Sequence, residues 1–61
     1  MKAKTIRDAE GNVMYLQMTS DGRAAVHVPG DPVKVGPDQI EPIRQWFADA
    51  RAEMLRGQRW T

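Results

Sequence analysis

Between residues 13 and 28, apolar side chains recur at every second position. Met14, Leu16 and Met18 share one parity, and Ala24, Val26 and Val28 repeat it beyond a turn. Such alternation predicts strands with one buried face. Three strands are expected, over residues 2–7, 13–18 and 23–28, joined as an antiparallel meander.

The parity also fixes how the strands pair. For both apolar sets to share a face, Met18 must oppose Ala24, Leu16 oppose Val26 and Met14 oppose Val28. Ser20-Asp21-Gly22 is then a three-residue loop closed by Thr19 and Arg23. Its glycine falls where a type I turn needs a left-handed residue. A two-residue Asp21-Gly22 turn would slip the pairing by one and set His27 against Leu16. Ala9-Glu10-Gly11 repeats the loop chemistry between Asp8 and Asn12, and it places Ile6 opposite Met14. Lys2 and Lys4 then point inward, which suits an edge strand whose lysines snorkel and discourage aggregation.

From residue 29 to 37 the chain is rich in proline and glycine. Within it, Val33-Lys34-Val35 is a candidate for a short fourth strand, or for a pairing edge in a dimer. Beyond Pro37 the period changes: Ile40, Ile43, Phe47, Ala50 and Met54 recur every three or four residues, which predicts one helix over about 39–56. Asp38 with Glu41 reads as a capping box, Pro42 as a first-turn residue and Gly57 as the stop. Residues 57–61 form a C-terminal tail.

Sheet and helix together predict a single α+β domain over residues 1–61, in the order β-β-β-α. Its expected core is Ile6, Met14, Leu16, Met18, Ala24, Val26, Val28, Ile43, Phe47, Ala50 and Met54, with Trp46 partly covered.

Composition narrows the function by exclusion. The chain has 61 residues and no cysteine, so disulfides, thiolate chemistry and most zinc sites are ruled out. One histidine and no EF-hand pattern leave no metal set, and no cofactor motif is present. Nine basic against eight acidic residues give a net charge of +1, which supplies no global field to steer a partner. No apolar run is long enough to span a membrane. No apolar stretch follows Lys2 and Lys4 as a secretory signal requires, so the expected compartment is cytoplasmic. A chain this short buries only about 60% of its unfolded surface, which leads us to expect self-association as a homodimer.

Two surfaces are candidates for contact. On the outer sheet face, Thr5, Tyr15 and His27 form one cross-strand row, with Arg7, Gln17 and Arg23 around it and carboxylates confined to turns. This set could take a protein partner or nucleic acid, the arginines meeting phosphates and Tyr15 stacking. In layout, a three-stranded sheet backed by a C-terminal helix resembles the arm-binding domains of tyrosine recombinases and the plant AP2 domain. No motif of either family matches residue by residue, and the resemblance implies only sheet-mediated DNA binding. The second surface is Arg56, Arg59 and Trp60: either Trp60 tucks back against Leu55, the favoured alternative, or the tail anchors a protein partner, since Trp and Arg dominate interface hot spots. His27 lacks the orienting partner and pocket of a general base. A non-enzymatic accessory or adaptor module, of a size often met in phages and mobile elements, is therefore the leading expectation. Nucleic-acid binding through the sheet is the alternative.

Overall fold

A computed structural model of the chain describes residues 2–57 and has the element order expected, three strands and then a helix. Strands β1 (Lys4–Arg7), β2 (Val13–Met18) and β3 (Ala24–His27) form one open antiparallel sheet in that order. The helix α1 (Pro37–Gly57) lies across one face. Arg59 and Trp60 of the expected tail anchor lie outside the described residues.

The pairing follows the parity argument. Ile6 opposes Met14, Leu16 opposes Val26, and Met18 opposes Ala24, while β3 ends at His27, one residue short of the expected Met14–Val28 pair. Both hairpin loops have three residues and end in a left-handed glycine, Gly11 at φ +86° and Gly22 at φ +82°. In each, the glycine N–H donates to the residue that opens the turn, Asp8 or Thr19. The shared loop chemistry thus sets the register at both ends of β2.

The helix departs from expectation at its start. It begins at Pro37, not 39, with Gly36 as N-cap in place of Asp38. The Gly36 carbonyl accepts the Gln39 and Ile40 N–H groups, both at 3.0 Å, and Gln39 Oε1 accepts the Gly36 N–H at 3.4 Å. That is the reach-back half of a capping box, with proline at the first helical position where its missing N–H costs nothing. Pro42 consequently sits inside the helix, beyond the first turn. The Gln39 side chain also donates through Nε2 to the Arg7 carbonyl at 2.7 Å, tying the helix start to the end of β1.

Residues 33–35 are not a fourth strand. They form a strap whose Val33 and Val35 turn inward against the core. Its backbone is fixed by the Asp8 carboxylate, which accepts the Lys34 N–H at 3.2 Å while holding the first hairpin loop. A side chain satisfies the Lys34 N–H here, so no strand partner is needed for it.

The core is smaller than expected and turned. Ile6, Leu16, Trp46 and Ala50 are buried, with Leu16 fully enclosed. Trp46 takes the central place assigned to Phe47, and Phe47 stands 39% exposed with its ring edge-on to the indole. Gln39 reaches the end of β1 through the Arg7 carbonyl and Trp46 reaches the chain entering β1 through the Lys2 carbonyl, so the helix lies over β1 and β2. A helix is about 10 Å wide and strands are about 4.8 Å apart, so one helix cannot roof three strands. Val26 and Val28, expected in the core, are accordingly 52% and 41% exposed. Ile40, on the helix stripe, is also exposed.

Candidate interaction surfaces

On the outer sheet face the expected row is present. Thr5 pairs with Tyr15 and Tyr15 with His27. The Tyr15 and His27 rings stack with centroids 6.3 Å apart and planes at 18°. Strand alternation places them there: each is the odd-numbered neighbour of an inward residue, and Tyr15 is exposed while Leu16 beside it is enclosed. Gln17, opposite Ala25, extends the same exposed surface.

The two arginines stand at opposite ends of this face. Arg7 pairs with Val13 where β1 meets the first loop, and Arg23 closes the second loop against Thr19. Six residues of strand separate those positions, or roughly 20 Å. The Arg23 Nε lies 3.9 Å from Asp21 Oδ2, so this arginine has a carboxylate beside it. Both groups are exposed, and such a pair contributes little. The Asp21 carboxyl is held below its ordinary pKa chiefly by a hydrogen bond from the Thr19 hydroxyl.

Of the expected tail anchor, only Arg56 is described. It lies in the last turn of α1 and pairs with Glu53, one turn back. Its charge is therefore partly satisfied within the helix.

A further surface, whose Val26, Val28 and Phe47 sequence patterning assigned to the core, lies on the helix side of β3. Val26 and Val28 are open there, and Ile40 and Phe47 stand on the neighbouring flank of the helix. Each lies about 100° round the helix from a residue bonded to β1 or to the chain entering it (Gln39 or Trp46), on the flank turned away from that strand.

The edges of the sheet also differ. Thr19 N–H donates to the Arg23 carbonyl at 2.7 Å, which turns the Arg23 backbone toward β2. By the alternation of an antiparallel ladder, Ala25 and His27 also face β2, while Ala24 and Val26 present their N–H and C=O groups outward. Among the described residues none of these outward groups has a hydrogen-bond partner. On β1 the outward carbonyl of Arg7 is taken by Gln39, while the outward N–H and C=O groups of Thr5 are, among the described residues, as free of partners as those of β3. No pattern of apolar residues could announce that asymmetry, because it rests on a contact 32 residues apart in sequence.

Among the described residues, no three His, Asp or Glu side chains converge as metal ligands. No helix of the described residues is long and apolar enough to cross a membrane. No protein-family model, curated protein or solved structure matches the chain.

Proposed function

We propose that the chain is a non-enzymatic protein-interaction module of the accessory or adaptor kind, and that its contact surface is the helix-side margin of β3 with the Ile40–Phe47 flank of α1. One observation carries this reading: Val26 lies on the face that should be core, yet is 52% exposed. Exposed apolar side chains scattered singly need no explanation, but four bordering one margin support the reading of a contact surface.

The test is Val28→Asp, measured twice. In a dilute sample the melting temperature should change by less than about 2 °C, because a charge at an exposed site disturbs little. A large fall would assign the margin to the monomer core and end the reading. At high concentration the same variant should lose whatever association the parent chain shows.

The stacked Tyr15 and His27 rings favour a second reading, nucleic-acid binding on the opposite face. Arg7 and Arg23, roughly 20 Å apart, span about six steps of a duplex at 3.4 Å each. The near-neutral net charge of +1 places it second, since neutralising phosphates normally takes a clearer basic excess.

A further inference from the structure

We infer that the occupant of the β3 margin is a second copy of this chain, joined edge to edge through β3 about a two-fold axis at Val26, making one six-stranded sheet. This rests on the protein-interaction reading above and names its partner. The outward N–H and C=O groups of Ala24 and Val26 form an open strand edge, a template that another extended strand can pair with and a purely apolar surface cannot.

Symmetry then selects the register. An antiparallel pair of identical strands that keeps both helices on one face must place a residue on the axis. Centred on Val26, the outward-facing residues meet: Val26 exchanges hydrogen bonds with Val26 of the second copy, and Ala24 does so with Val28. On the outer face His27 stands opposite Ala25, so no like charges are opposed. A centre at Ala25 would also let Ala24 and Val26 exchange their outward bonds, but it would set Arg23 against His27 and leave Val28 facing Gly22.

The apolar surfaces meet in the same arrangement. With each helix over its own β1 and β2, the two helix axes lie about four strand spacings apart, or roughly 19 Å. Allowing about 10 Å for the helices themselves leaves a trough of about 9 Å above the joined β3 strands. Val26 and Val28 floor it, and Phe47 and Ile40 line it from both sides. One operation therefore pairs the free edge and covers the four exposed apolar residues.

The test uses sedimentation and disulfide trapping of the full chain, which has no cysteine of its own. The parent should show a concentration-dependent monomer–dimer equilibrium. Val26→Pro should weaken it at least tenfold while the far-ultraviolet spectrum persists, because the N–H it removes points away from β2. A mixture of Ala25→Cys and His27→Cys chains should cross-link on mild oxidation, in preference to either variant alone. These two positions form a closely spaced, non-hydrogen-bonded pair in this register. If Val26→Pro fails to fold, the cross-linking pattern decides. A parent that stays monomeric at millimolar concentration overturns the inference. If Val28→Asp is also neutral in the dilute melt, the margin remains a contact surface for another protein. Association that survives Val26→Pro but not Val28→Asp likewise overturns the edge pairing and leaves the protein-interaction reading standing.

Discussion

The indole Nε1 of Trp46 donates a 2.9 Å hydrogen bond to the backbone carbonyl of Lys2, 44 residues earlier. This contact joins the middle of the helix to the chain entering β1, and it holds the indole over Ile6 and Leu16 as part of the buried cluster. Its neighbour Phe47 is turned by one residue's rotation to the margin, where it touches the indole edge-on at a centroid distance of 5.1 Å.

The two aromatics should therefore respond very differently to truncation. Trp46→Ala should cost about 3–5 kcal/mol, as expected of a buried large ring, enough to unfold much of so small a domain. Trp46→Phe should cost less but remain measurable. It deletes the bond to Lys2, worth about 1 kcal/mol, and some ring area. Phe47→Ala in a dilute sample should cost less than Trp46→Ala, about 1–2 kcal/mol, as befits a ring that is 39% exposed. Urea unfolding followed by far-ultraviolet circular dichroism reports all three, and the reverse order would mean that the helix sits rotated from the position described.

The strand register was legible because two independent signals agreed, apolar parity and a glycine at the third loop position. The helix rotation was not. Ile40, Phe47 and Met54 form as good a seven-residue stripe as the row around Trp46, and only the distant Lys2 carbonyl separates them. The cap was recoverable: a proline after Gly36 with Gln39 two residues on is an N-terminal signature, overshadowed by Asp38 and Glu41. The open β3 margin was not visible in alternation at all. Val26 has the same pattern as Leu16, and what distinguishes them is the width of a single helix. Of the outer face, parity placed Tyr15, Gln17 and His27 correctly, while the Asp21 carboxylate beside Arg23 depends on how the loop folds back.

Asp8 gathers four hydrogen bonds. Its Oδ1 accepts the Glu10 and Asn12 N–H groups, and its Oδ2 accepts the Asn12 side-chain amide and the Lys34 N–H. Partial removal from water pushes its pKa up. The Asn12 side chain and the backbone N–H groups of Lys34, Asn12 and Glu10 together outweigh that, and they hold it below the ordinary 3.8. The folded chain thus takes up this proton at lower pH than the unfolded chain does. Its stabilisation is complete above the unfolded value and is lost as pH falls through the folded one. Asp21 and Glu41, lowered by the Thr19 hydroxyl and the Arg44 guanidinium respectively, act with the same sign. Urea midpoints should fall between about pH 5 and pH 2, and Asp8→Asn should flatten that limb while lowering the plateau above it. An unchanged acid limb would show that the carboxylate does not tie the strap to the loop.

The outer face can be separated from the β3 margin by salt. If Arg7, Tyr15 and Arg23 meet nucleic acid, a fluorescently labelled duplex should bind at low ionic strength and weaken steeply as salt rises, since each neutralised phosphate releases counterions. Arg7→Ala with Arg23→Ala should reduce affinity and lower the slope of log affinity against log salt by about two, one for each phosphate contact removed. Tyr15→Ala should weaken binding to single strands by about 1–3 kcal/mol if the ring stacks on a base, with little change in slope. Asp21→Asn, which frees Arg23 from its only charged neighbour among the described residues, should strengthen binding. Because none of these substitutions touches Val26, Val28 or Phe47, self-association should be unaffected. Absence of binding to duplex and single strand alike at low salt removes the nucleic-acid reading and leaves the sheet's outer face as a solvated surface.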